Sequence, residues 1–263
     1  MSKLFYYFSF NLMFFSILLL FQSCGKDSGT DLTQAVGAVQ NEEVPVEDQG
    51  RYMDLQEALD LKLSPSSAKY NWKKSYSESI VREFSRKELE HLTQDGFQIS
   101  ENDLEVLGCS GFNRANKVEK MKFYLLFLAS VAEAESDFKN ESYSKAPNGT
   151  SNIGIFQIDE KAGINNTNVA LGKKIYNPKS LSDFMFFNSE LKNGDFNSKT
   201  STYIFKNQLK KHRNQLFTKN GNFFYWEVLG CKSLDGVSCF NGSINKNFIA
   251  YFNKHVNQLN FCE

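Results

Sequence analysis

A glutamate at the end of a long apolar run is the residue most able to do chemistry in this chain. It lies in the segment Val131-Ala132-Glu133-Ala134-Glu135-Ser136-Asp137-Phe138. Neighbours on one helical face are spaced three and four residues apart. Glu135 therefore shares its face with Leu128, Val131, Ala132 and Phe138, whereas Glu133 shares its face with Ala129, Ser130 and Asp137. Glu135 is expected to point into an apolar wall and Glu133 to face water. An apolar wall raises a carboxyl pKa because it disfavours the charged form. A free glutamate near pKa ~4.3 is about 0.2% protonated at pH 7. Shifted to ~6, it is about 10% protonated, at a cost of roughly 2.3 kcal/mol. A protonated carboxyl can hand its proton to a glycosidic oxygen as the C–O bond breaks.

A second motif follows a polar loop: Gly154-Ile155-Phe156-Gln157-Ile158. Glu135-Ser136-x-Phe138 at a helix end, followed by Gly154-x-x-Gln157-Ile158, resembles the lysozyme-like transglycosylases of the soluble lytic type. The resemblance runs well over residues 109–160 and loosely beyond. It implies that Glu135 is the single catalytic acid and that Ser136 assists its positioning. It also implies that Gly154 and Gln157 open the next helix and line a sugar cleft. Tyr225-Trp226 fits the aromatic that sits under a sugar ring in related domains, and Ala250-Tyr251-Phe252-Asn253 echoes the family's late Ala-Tyr-Asn segment. The expected substrate is the β-1,4 bond between N-acetylmuramic acid and N-acetylglucosamine in peptidoglycan, cut with no cofactor and no metal.

Three readings stay open at this point. A lytic transglycosylase closes the substrate's own C6 hydroxyl into a 1,6-anhydro ring. A hydrolytic lysozyme needs a second carboxylate to hold water across the sugar, and Glu141, Asp159 and Glu160 are the candidates near in sequence. Lysozymes of predatory bacteria share a lipoprotein layout and prefer deacetylated glycan. The third reading is a lysozyme-like module that binds glycan without cutting it, against which the intact acid and Gly-x-x-Gln motif both speak.

Other chemistries find no footing. The chain has no Gly-x-Ser-x-Gly elbow, no His-Glu-x-x-His and no phosphate loop. His91, His212 and His255 are isolated in sequence and expected at the surface. Lys plus Arg equals Asp plus Glu, 30 each, so the formal net charge is zero. Such a balance gives no bulk pull toward nucleic acid. The chain is expected to act as a monomer.

The start of the chain reads as an address. Lys3 precedes an almost wholly apolar run from Leu4 to Phe21, then Gln22, Ser23 and Cys24, after which the chain turns polar. This is the layout of a secretory signal, and a cysteine directly after the small residue resembles the lipobox of bacterial lipoproteins. Residues 1–23 are then the signal peptide, and Cys24 is the lipidated N-terminus of an exported protein, at the outer membrane facing the periplasm, or secreted. An uncleaved anchor is one alternative, since the run is about long enough to span a bilayer, and ordinary signal cleavage without lipid is the other. Cys109, Cys231, Cys239 and Cys262 remain, an even number in an oxidising compartment. The preferred pairing is Cys231–Cys239 across a short polar loop and Cys109–Cys262 around most of the domain. The chain-entropy model values these at roughly 2.5 and 5 kcal/mol. Zinc is the rival reading, but there is no Cys-x-x-Cys pair.

These features need a scaffold. Residues 24–50 suit a flexible tether. Residues 51–108 suggest a helical N-terminal extension, with Leu55, Leu59, Leu61 and Leu63 in one helix and Ile80, Phe84, Leu89 and Leu92 in a second. The catalytic domain spans 109–263. Its central helix is expected over 117–138, because Phe123-Tyr124-Leu125-Leu126-Phe127-Leu128 is too apolar to face water on any side. Shorter helices are expected near 181–191, 200–217, 222–230 and 244–258. No long alternating run argues for a large sheet. The fold class is mostly α, a lysozyme-like helical domain around a central buried helix.

Overall fold

The computed structural model describes residues 54–63, 70–145, 150–219, 225–231 and 244–263. The signal, the tether and Cys24 lie outside these residues, as does Cys239, and only the backbone of Cys231 is described.

Among the described residues, beyond a short helical stretch at 54–58, the fold is carried by α1 (Lys74–Phe84), α2 (Glu101–Val106), α3 (Lys117–Ser136), α4 (Glu160–Ala170), α5 (Leu181–Glu190), α6 (Gly194–Lys211) and α7 (Lys246–His255). The chain is mostly helical, in a lysozyme-like arrangement around a buried central helix. That helix is α3. It begins with a capping box: the Glu119 N–H donates to Asn116 Oδ1, and the Asn116 N–H donates to Glu119 Oε2. From Met121 to Ala132 its side chains are almost entirely out of water, because the apolar run leaves no polar face.

Aromatic rings fill the space around α3, as the abundance of Phe and Tyr requires. Tyr124 stacks on Phe84 of α1 at 4.9 Å. Phe127 meets Phe205 of α6 at 5.4 Å and Phe248 of α7 at 5.2 Å. Ile80, Phe84, Leu89 and Leu92 all enter this one core, so one side of residues 74–92 packs into the domain's interior. A polar pin joins α1 to α6: the Tyr203 hydroxyl donates to the buried Glu83 carboxylate, and Arg86 donates to the same oxygen at 3.1 Å. Cys109 and Cys262 form a disulfide. Beside it, Gln258 closes a reciprocal pair of hydrogen bonds with the Lys62 backbone, both at 2.9 Å.

Several local expectations need correction. A small antiparallel sheet, β1 (Tyr143–Lys145), β2 (Ser151–Ile153) and β3 (Ile158–Asp159), stands between α3 and α4. Strands of two or three residues are too short for an alternating pattern to be read. The parallel pair β4 (Thr218–Lys219) and β5 (Gly230–Cys231) is shorter still. The helix expected near 222–230 reduces, among the described residues, to a 3-10 turn at Glu227–Leu229. His255 is buried, not superficial: its ring lies 4.7 Å from Tyr251, and Nδ1 is 3.1 Å from Gln258 Nε2. Among the described residues no helix is long and apolar enough to cross a membrane.

Candidate active site

Glu135 occupies the last turn of α3, where the buried helix emerges. The chain leaves that helix abruptly. Asp137 and Phe138 both take positive φ, 53° and 61°, a costly conformation for a bulky residue. Packing explains it. Phe138 is buried between Trp72 and Tyr251, with ring centroids 5.4 Å away in each case. The motif phenylalanine therefore anchors the exit turn and fixes where Glu135 stops.

Burial pushes the Glu135 carboxyl up to about 7, the nearby Glu227 charge adds to the rise, and the Val228 backbone N–H offsets part of it. Glu133 departs from expectation. It is half-buried, with one carboxylate oxygen out of reach of water, and its charge lies near Tyr251. Helical spacing separates the two glutamates correctly by face, but α7 covers the side that the sequence leaves open.

Two open cavities meet at Glu135. One, about 400 Å³, is lined by Glu135, Glu227, Val228, Gly230, Ile244, Asn245 and Lys246. The other, about 390 Å³, is lined by Glu135 and Glu227 with Thr150, Asn152, Gln157, Asp159, Ala162, Tyr225 and Trp226. Both are of ligand-binding size. Glu135 and Glu227 are the two residues common to both linings, so the carboxyl pair marks the waist of a longer cleft.

The Gly154–Gln157 segment forms a tight turn between β2 and β3, and α4 starts only at Glu160. This corrects the expectation that the motif itself opens the helix. Gly154 has φ +78°, and a Cβ there would come within 2.3 Å of Asn197 Nδ2 and 2.5 Å of the Leu191 carbonyl. Only glycine fits such a position. Four side chains hold the turn. Ser136 Oγ donates to the Ile155 carbonyl at 2.8 Å. Asn197, fully buried, accepts from the Phe156 N–H at 2.9 Å and donates to the Ile153 carbonyl at 2.9 Å. Trp226 Nε1 donates to the Phe156 carbonyl at 2.9 Å. Gln157 Nε2 turns back on the Gly154 carbonyl at 2.9 Å, and its Oε1 accepts from Ser144.

The expected site residues thus come together, with different parts to play. Gln157, Tyr225 and Trp226 line the cleft beside Glu135. Ser136 and Gly154 build it, since the hydroxyl braces the turn and the glycine permits it. Trp226 is almost wholly buried, so its ring forms a wall. The Tyr225 hydroxyl accepts the Asp159 N–H at 2.6 Å, and burial raises its pKa. Among the nearby carboxylates, Asp159 lines the cleft but its Oδ1 caps α4 through the Ala162 N–H at 2.8 Å. Glu160 is buried, and Glu141 lines neither of these two cavities, lying instead in one with Tyr70 and Lys139. Sequence reasoning missed Glu227, Asn197 and Lys246. Glu227 and Asn197 act across a long sequence separation, Lys246 lines one cavity, and no periodicity or motif flags them.

No family model matches the chain, and no curated protein matches it. The likeness to known proteins is structural. The chain is similar to solved structures titled Bd0314 DslA. A glutamate-to-glutamine mutant superimposes with a TM-score of 0.52 at 14% identity, covering 77% of this chain and 99% of that one. The wild-type form 2 gives a TM-score of 0.50 at 16% identity, covering 72% and 92%. A second glutamate-to-glutamine mutant gives a TM-score of 0.50 at 15% identity over the same shares. At these identities the likeness establishes the shared fold.

Proposed function

We propose that this protein cuts the glycan strands of peptidoglycan, with Glu135 as the general acid. The observation that carries this reading is a carboxyl held at about 7 by burial, at the waist where two cavities meet. About half of such a group is protonated at neutral pH, so it can still donate. A sugar chain laid across the waist puts one residue on each side of the acid. Glu135 gives its proton to the bridging oxygen and the C1–O bond breaks. In the transglycosylase route the substrate's C6 hydroxyl then bonds to C1, and its proton returns to the Glu135 carboxylate.

One observation favours a second route. Glu227 borders both cavities beside Glu135, where a second carboxylate could orient a water toward C1. Mass spectrometry of soluble products from digested sacculi separates the two: 1,6-anhydro ends support the first, reducing ends the second. Binding to sacculi without release of fragments would reject cleavage. The chain is further proposed to be exported and anchored by lipid at Cys24. Mass spectrometry of the mature N-terminus tests this, and an intact Met1 or an unmodified Cys24 rejects it.

A further inference from the structure

Helix α5 carries its large apolar residues on the outside. Leu181, Met185 and Phe186 are 72%, 62% and 51% exposed, while Phe187 is buried and anchors the helix. Positions 181 and 185 lie one turn apart on the same side of α5, Phe186 follows about 100° further round, and the other exposed residues of α5 are Ser182 and Ser189. The connection from α4 continues this surface. Val169 and Ile175 are 69% and 43% exposed. Asn168 Oδ1 accepts the Ile175 N–H at 2.8 Å and so folds the connection back toward the end of α4. Tyr176 stacks against Phe186 at 6.3 Å. The patch is separate from the cleft. Ala162 at the start of α4 borders the cleft, whereas Val169 lies about 10 Å further along the helix.

The charges around the patch are uneven. Lys173, Lys174 and Lys179 are exposed, whereas the acids of this stretch, Asp183 and Glu190, are half-buried. The Asp183 carboxylate accepts the Asn177 N–H at 2.7 Å. Large apolar side chains rimmed by lysines are the composition of a surface that rests in the headgroup layer of an anionic bilayer. A second copy of the chain would bring the same lysines face to face and is disfavoured by their repulsion. The sequence supplies proximity to a membrane, since Cys24 precedes Asp54 by about 30 residues. A chain of that length reaches at most about 100 Å.

We propose that this face of α5, with Val169 and Ile175, docks on an anionic phospholipid bilayer. Leu181, Met185 and Phe186 enter the headgroup region, and Lys173, Lys174 and Lys179 meet lipid phosphates. The inference rests on the exported, membrane-held reading for its setting and is independent of the chemistry at Glu135.

The test uses the full chain with an environment-sensitive fluorophore on Met185→Cys, and separately on Asn257→Cys, an exposed position outside the proposed patch. The unsubstituted chain, treated identically, gives the labelling background. Vesicles contain phosphatidylglycerol in phosphatidylcholine, with a quencher carried in the lipid. The label at position 185 is expected to shift to the blue and be quenched, while that at 257 stays water-like. Changing all three lysines to Gln should lower the docked-to-undocked ratio about 100-fold. A water-like label at 185, or equal shifts at both positions, overturns the proposal. So does a shift at 185 that needs protein concentration but no vesicles, which would mean a second copy covers the patch. Release of fragments from sacculi by the same preparations reads the catalytic proposal separately.

Discussion

One helix, α3, passes through two environments. From Met121 to Ala132 it is almost entirely sealed among apolar side chains and aromatic rings, and its few polar groups, such as the Tyr124 hydroxyl donating to the Leu92 carbonyl, are paired. Its last turn, Glu133 to Ser136, is half-buried and borders open cavities. The first region gives the second its rigidity and its low polarity. Glu135 holds a proton near neutral pH because the buried helix delivers it against an apolar wall, while its carboxyl still reaches the cleft.

The sharpest way to break this comparison is Glu135→Gln. Loss of the acid should reduce wall cleavage about 10²–10⁴-fold, measured as fragment release from sacculi. Stability should move the other way. The native pKa is raised from 4.5 to about 7, so the native state keeps a proton that the unfolded chain gives up. The carboxyl therefore costs nothing below the unfolded value, and its cost builds as pH rises from the unfolded value to the native one and is constant above it. Glu135→Gln should raise the melting temperature at pH 8 by an amount corresponding to about 1–3 kcal/mol and leave it unchanged at pH 4. In the active protein, cleavage should fall as pH rises through 7. A Glu135→Gln protein that retains activity would move the acid elsewhere.

The sealed region answers to a different substitution. Phe127→Ala, within a cluster of four rings, should cost about 3–5 kcal/mol in a denaturant titration. The pH profile of any cleavage by the remaining folded protein should not move. Gly154→Ala is intermediate in size. Its φ and its contact with Asn197 disfavour any side chain, and about 1–3 kcal/mol should be lost. Activity should fall further than stability alone accounts for, because the turn beside Glu135 shifts. Ser136→Ala removes one hydrogen bond to the Ile155 carbonyl and should cost about 1 kcal/mol. Smallest is Glu227→Gln. Removing this charge should lower the Glu135 pKa and move the alkaline limb of activity to lower pH, by about half a unit or less given its exposure. A shift to higher pH would contradict the electrostatic assignment.

The sealed region was also the easier one to read. The Phe123–Leu128 run can only be buried, and the start of α3 at Lys117 follows from it and from the Asn116 cap. Spacing then singled out Glu135. The cleft was legible only where a short motif marks it. Gly154 and Gln157 were visible as residues, but their tight turn depends on Asn197, which is fixed by hydrogen bonds and not by any sequence pattern. The Glu133 reading failed because helical spacing assigns faces without saying what packs on them. Glu227 was hidden because its coupling to Glu135 acts through space, from a 3-10 turn too short to have a period.

The disulfide between Cys109 and Cys262 has a consequence for durability. Glu135, the Gly154 turn, Tyr225, Glu227 and Lys246 all lie within the 153-residue interval it closes. A protease that cuts the backbone once anywhere inside that ring opens it without releasing a fragment. Both sides of the cleft remain covalently joined, and the nicked protein can re-form the same packed core. Losing half the cleft takes two cuts, or one cut and a reductant.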